Sequence, residues 1–207
     1  MAGLNGSDLF IVDDDPSVRD ALSAVFSVEG YHVTRFADGE SFLAAARTET
    51  PSCVLLDVHM PGRSGIDVLR QLDAQRYGAP IFVISAQGDI PLAVEAIKHG
   101  AFDFIEKPFD AEAVVMRVRT AIAIWARRQA GGYAARPLKF AGGDRLTPRE
   151  RDVLGQIAAG ASNKEAGRQL GISPRTVEVH RARIMEKLAA RNTADLVRIV
   201  MTETQEA

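Results

Sequence analysis

Three short apolar runs, LFIV, CVLL and IFVI, and a fourth strand-like segment, DFIE, are each followed at once by side chains suited to a charged ligand: Asp13-Asp14, Asp57, Ser85 and Lys107. The positions 13, 57, 85 and 107 are 44, 28 and 22 residues apart. One strand-plus-helix unit takes about 20–30 residues and two take about 44. The spacing therefore predicts a (βα)5 domain with a five-stranded, mostly parallel sheet, whose strand ends gather these side chains at one edge. An open sheet of this kind places its functional groups at the carboxyl ends of its strands.

The intervening sequence agrees. Strands are expected at Leu9–Val12, His32–Phe36, Cys53–Leu56, Ile81–Ile84 and Asp103–Ile105. From Pro16 to Glu29, Val18, Leu22, Val25 and Phe26 share a helical face, and Gly30 stops the helix. Pro91 to His99 repeats the device and ends at Gly100, and a last helix is expected near Ala111–Arg127. Gly131-Gly132, Pro137 and Gly142-Gly143 then mark a linker. The expected domains are 1–125, a linker at 126–145, and a second domain at 146–207.

Three carboxylates, a hydroxyl and an ammonium at one edge suit a divalent cation and a phosphoryl group. A hard ion such as Mg²⁺ takes carboxylate and phosphate oxygens. A carboxylate can itself accept the phosphoryl group as an acyl phosphate. The ion and Lys107 would neutralise the transferring group, while Ser85 would donate to one of its oxygens. Asp15-Pro16 reads instead as a helix start.

Charge divides the chain. Residues 1–125 hold 10 Lys+Arg against 18 Asp+Glu, a net of −8, and residues 126–207 hold 15 against 9, a net of +6. A basic module beside an acidic one suggests a polyanion-binding part joined to a cation-binding part. No apolar run approaches the roughly 18 residues of a membrane span. The start has no basic segment followed by an apolar one, so no signal peptide is expected. The single cysteine, Cys53, excludes an intrachain disulfide framework and fits a cytoplasmic protein.

From Leu146 the pattern becomes compact helices. Thr147-Pro-Arg-Glu150 and Ser162-Asn-Lys-Glu165 fit the capping box, and Ser173-Pro174 an N-cap with proline first in the helix. Three such helices within about 45 residues suggest a helix-turn-helix, and a fourth is expected near Ala194–Met201. At about 100° per residue, Val177, Ile184 and Leu188 face a core, with His180 at the margin. The opposite face carries Arg175, Val179, Ala182 and Glu186, flanked by Glu178 and Arg183. Arg and Glu there would read guanine and cytosine in a major groove. Lys164, Arg168, Arg181, Arg183 and Lys187 are placed for phosphates, and Thr176 joins the candidate DNA contacts.

IVDDD, LLDVHMPGRSGID, ISAQGD and FIEKPF together resemble the receiver domain of bacterial two-component response regulators, over residues 7–125. The resemblance implies that Asp57 is phosphorylated by a sensor histidine kinase. It implies Asp13, Asp14, Asp57 and the His59 carbonyl as Mg²⁺ ligands, with Ser85 and Lys107 on the phosphoryl group. Phe104 corresponds to the family's switch aromatic. His59 and Gln87 fall where the family tunes phosphate lifetime. Residues 146–201 resemble the LuxR-type helix-turn-helix, and the whole chain is similar to the NarL/FixJ group, FixJ-like members above all. Some relatives carry lysines where this chain has Glu178 and Ala182, so no operator sequence is carried over.

The resemblance implies a phosphorylation-activated, sequence-specific transcriptional regulator rather than an enzyme. It further implies a homodimer on phosphorylation, with double-stranded DNA and RNA polymerase as partners and no membrane partner. The alternatives are a phosphorylation-independent DNA-binding regulator and an aspartyl-phosphate phosphotransferase or phosphatase. A phosphatase of that kind needs a second acid two residues after its nucleophile, where this chain has His59.

Overall fold

Strands that are apolar at nearly every position must be covered on both faces. In the computed structural model, which describes residues 7–86, 90–129, 140 and 142–202, the central strands obey this rule. β1 (Asp8–Val12) is buried from Leu9 onward, and β3 (Cys53–Asp57) is buried throughout. β2 (His32–Phe36) is largely exposed, as an edge strand can be. β4 (Ile81–Ala86) and β5 (Asp103–Lys107) complete a parallel sheet in the order β2-β1-β3-β4-β5. The order reverses between β1 and β3, the switch point beside which open parallel sheets bind ligands.

Helices α1 (Pro16–Val28), α2 (Gly39–Ala45), α3 (Gly65–Leu72), α4 (Ile90–Lys98) and α5 (Ala111–Gln129) follow the five strands in turn. Asp15 caps α1, its carboxylate accepting from the Ser17 amide at 2.8 Å. Asp38 and Ser64 cap α2 and α3 in the same way. Phe10, Phe36 and Phe42 meet edge to face with ring centroids 5.1–6.4 Å apart, joining β1, β2 and α2. Gly65 opens α3 against the end of β3. A Cβ there would lie 2.3 Å from the Asp57 carbonyl oxygen, so only glycine lets the helix start so close.

The chain divides into two compact units, Met1–Trp125 and Ala126–Ala207. The linker expected at 126–145 falls mostly outside the described residues. After a 3₁₀ turn at Gly143–Arg145, the second unit contains α6 (Pro148–Ala158), α7 (Asn163–Leu170), α8 (Pro174–Lys187) and α9 (Thr193–Thr202). Both expected capping boxes form, at Thr147/Glu150 and Ser162/Glu165. Ser173 caps α8 with Pro174 in its first turn. At Gly167 a Cβ would meet the Ile172 carbonyl oxygen at 2.6 Å, so glycine permits the tight α7–α8 turn. Val153, Leu154, Leu170, Val177, Ile184 and Leu196 form the core. No described helix is long and apolar enough to cross a membrane.

His180, expected at the margin of this core, lies well inside it at 3% exposure. Burial pushes its imidazole down to about 3, helped by Arg149 and Arg183 and opposed by Glu150.

Two predictions follow from packing. Gly65→Ala should cost about 1–3 kcal/mol in urea unfolding, because backbone must move to admit the methyl group. Gly155→Ala, with nothing within 4 Å of the added carbon, should instead stabilise α6 by about 0.5–1 kcal/mol. For His180, the unfolded imidazole binds its proton near pH 6.5 and the folded one near 3. Stability should therefore fall as pH drops through that window. NMR-detected urea unfolding of α8 between pH 6.5 and 5 should show this slope in the wild type and lose it in His180→Phe.

Candidate phosphoacceptor site and basic helical face

The parallel sheet brings the ends of β1, β3 and β5 to one edge, and with them Asp13, Asp57 and Lys107. The Lys107 ammonium lies between the two acids, 2.6 Å from Asp57 Oδ1 and 3.0 Å from Asp13 Oδ2. The other oxygens are also engaged: Asp57 Oδ2 accepts from the His59 amide at 2.6 Å, and Asp13 Oδ1 from the Asp15 amide at 2.9 Å. Both acids are buried, Asp13 at 0% exposure and Asp57 at 3%. Ser85, on β4 beside them, is buried as well.

Burial raises the Asp57 carboxyl above its ordinary value. Lys107 draws it down and the charge of Asp13 pushes it further up. Burial would lower the Lys107 ammonium, but its bonds to Asp57 and Asp13 outweigh that and leave it raised. One cation thus faces two carboxylates, with one negative charge in formal excess. All the donors are hard oxygens, which suits a divalent ion of the Mg²⁺ kind.

Of the four expected metal ligands, the structure brings the carboxylates of Asp13 and Asp57 together. Asp14 is exposed to solvent. Among the described residues, no three His, Cys, Asp or Glu side chains gather as a metal cluster. Phe104 on β5 is buried at 6% exposure. Gln87 lies outside the described residues.

The second unit sorts its expected DNA contacts into two groups. Lys164 and Arg168 on α7 are exposed, as are Arg175, Glu178 and Ala182 on α8, with Val179 partly so. Thr176 is not on that face. It is wholly buried and its hydroxyl meets that of Ser173 at 2.8 Å, because the third residue of a capped helix turns back toward its cap. Arg181 is partly buried and bonds the Thr193 hydroxyl. Arg183 and Lys187 turn inward to the buried Glu150, at 3.6 and 2.7 Å.

Sequence reading assigned Glu150 only to the capping box. Its carboxylate serves the cap and the two α8 cations at once, which the capping spacing alone does not disclose. The bond from Asn163 to Glu178, at 3.2 Å, was likewise missed, since the two residues are 15 apart on different helices.

Comparison with known proteins agrees with both halves. Residues 9–119 match the response regulator receiver domain, and residues 144–200 match the bacterial regulatory proteins of the luxR family. The chain is 40% identical over 198 residues to the transcriptional regulatory protein FixJ of Bradyrhizobium diazoefficiens, covering 93% of this chain and 94% of the relative. It is 37% identical to the transcriptional regulatory protein TdiR of Thauera aromatica, covering 95% of this chain and 86% of the relative. The crystal structure of full-length FixJ from B. japonicum is 38% identical, with a TM-score of 0.58 over 97% of this chain and 98% of that one. With a receiver fold that closes an acidic pocket on Lys107 and a helix-turn-helix beyond it, the chain belongs to the FixJ/NarL-type response regulators, transcriptional regulators that join a receiver to a LuxR-type DNA-binding domain.

Proposed function

We propose that Asp57 accepts a phosphoryl group from a sensor histidine kinase and that the acyl phosphate tightens DNA binding by the helix-turn-helix. The observation that carries this reading is the Lys107 ammonium bridging Asp57 and Asp13 at the carboxyl edge of the sheet. An Asp57 oxygen attacks phosphorus, the phosphorus–nitrogen bond of the donor histidine breaks, and the electron pair leaves with the imidazole. Lys107 then shifts from the carboxylate toward the new phosphoryl oxygens, and the Ser85 hydroxyl donates to another of them. A Mg²⁺ ion held by Asp13 and Asp57, with Asp14 and the His59 carbonyl completing its shell, would supply charge neutralisation on the transferring group.

Phe104 is the aromatic whose arrangement responds, and the phosphorylated chain favours a homodimer that meets two half-sites. Residues 1–125 act as the receiver and 146–207 as the DNA-binding domain, in a cytoplasmic protein that works with RNA polymerase. Arg175, Val179, Glu178 and Ala182 read bases, and Lys164 and Arg168 hold phosphates. Arg183 and Lys187, paired with Glu150, seat the helix instead.

Asp57→Asn should accept no phosphoryl group from acetyl phosphate and lose the phosphate-dependent gain in DNA affinity, and EDTA should block incorporation in the wild type. Retention of the full gain in Asp57→Asn would refute the switch. On a duplex selected from a random pool, Arg168→Gln should lower the salt slope of log K by about 0.9, the value of one phosphate contact. Lys187→Gln should leave that slope unchanged while lowering stability.

A further inference from the structure

A second polar cluster grips β5 at the end opposite Lys107. Asp103, the first residue of the strand, is wholly buried. Its Oδ1 accepts from the Phe104 amide at 3.0 Å, and its Oδ2 accepts from Arg117 Nη2 at 2.6 Å. The same Arg117 nitrogen donates to the Phe104 carbonyl at 2.6 Å, and the guanidinium carbon sits 5.6 Å from the centre of the Phe82 ring. Arg117 comes from α5, so helix and strand are joined through both backbone groups of one residue.

Stability is a poor account of this arrangement. Taking the Asp103 carboxylate out of water is costly, and a charge partner such as Arg117, itself 34% exposed, on average does no more than offset that cost relative to a well-packed apolar pair. What an apolar pair cannot supply is a hold on the amide and the carbonyl of Phe104 together. The five-residue strand is then fixed by charge at both ends, through Asp103 and Arg117 at one and through Lys107, Asp13 and Asp57 at the other. The Phe104 backbone is held at the first of these anchors, and its ring is buried at 6% exposure.

We propose that Arg117 is a positioning residue for the switch. Acting with Asp103, it clamps the Phe104 backbone, so that phosphoryl arrival at Asp57 is expressed as a reorientation of the Phe104 ring rather than absorbed by a shift of the strand. The clamp also makes α5 follow that strand. A rigid backbone gives the ring discrete states, and a loosened one blurs them. This rests on the reading of Asp57 as phosphoacceptor and Phe104 as the responding aromatic.

The test uses the full chain labelled with 4-fluorophenylalanine, with the Phe104 resonance assigned through Phe104→Tyr. Phosphorylation is by acetyl phosphate with Mg²⁺, and DNA binding is measured on a duplex selected from a random pool by the phosphorylated wild type. Arg117→Lys keeps the charge but lacks the fork that reaches carboxylate and carbonyl together. It should incorporate phosphate at Asp57 and bind DNA when unphosphorylated as the wild type does. Its phosphorylation-dependent gain in DNA affinity should fall about fivefold or more, and the phosphorylation-dependent ¹⁹F shift of Phe104 should shrink.

The double variant Asp103→Asn/Arg117→Met removes both charges together, leaves no buried carboxylate unpaired, and should behave likewise; it carries the test if Arg117→Lys fails to fold. A folded variant with the full gain, or with an undiminished Phe104 shift, overturns the clamp alone. A wild type that takes up no phosphate at Asp57 overturns the functional reading and the clamp with it.

Discussion

The Lys107 ammonium between Asp13 and Asp57 is the contact on which the first unit turns. Two buried carboxylates facing each other repel strongly where water cannot screen them, and one shared cation offsets both. For the three groups to meet, β1, β3 and β5 must run parallel and end level. The doubly crossed order of the sheet provides that, with the reversal between β1 and β3 placing the two acids side by side. The glycine at the head of α3 is part of the same arrangement, because it lets the helix start directly against the carbonyl of Asp57.

A comparable economy operates in the second unit, with the signs exchanged. There one buried carboxylate, Glu150, gathers two cations from α8 and an amide from its own cap. Bonds to Lys187 and Thr147 hold this carboxyl below its usual range, more than offsetting the burial that would raise it. Its neighbour His180 bears the opposite consequence: burial, with Arg149 and Arg183 close by, pushes its imidazole down to about 3 and so keeps it neutral near pH 7. The orientation of α8 on α6 is therefore set by charge as well as by packing.

Much of this was legible in the chain because it is written locally. Apolar runs that stop at Asp13, Asp57 and Lys107 disclose strands, their direction and the edge they share. Hydroxyl and carboxylate three residues apart at Thr147 and Ser162 disclose helix starts to the residue. What stayed hidden depends on long-range geometry. Nothing in the spacing of Asp103 and Arg117 says that they meet across β5 and α5. A helical wheel puts Arg183 and Lys187 among exposed cations, because it cannot know that a buried acid waits on α6. Thr176, counted among the candidate DNA contacts, instead turns back to its cap residue Ser173 and is buried.

The seating of α8 by Glu150 has a consequence for how such a protein can change over time. The residues that hold the helix, Val177, His180, Ile184 and the two inward cations, lie apart from the exposed positions Arg175 and Ala182. Substitutions at these outward positions leave the seat intact, so that face can be rewritten one residue at a time while the fold of this unit persists. Divergence of recognition need not pass through an unstable intermediate.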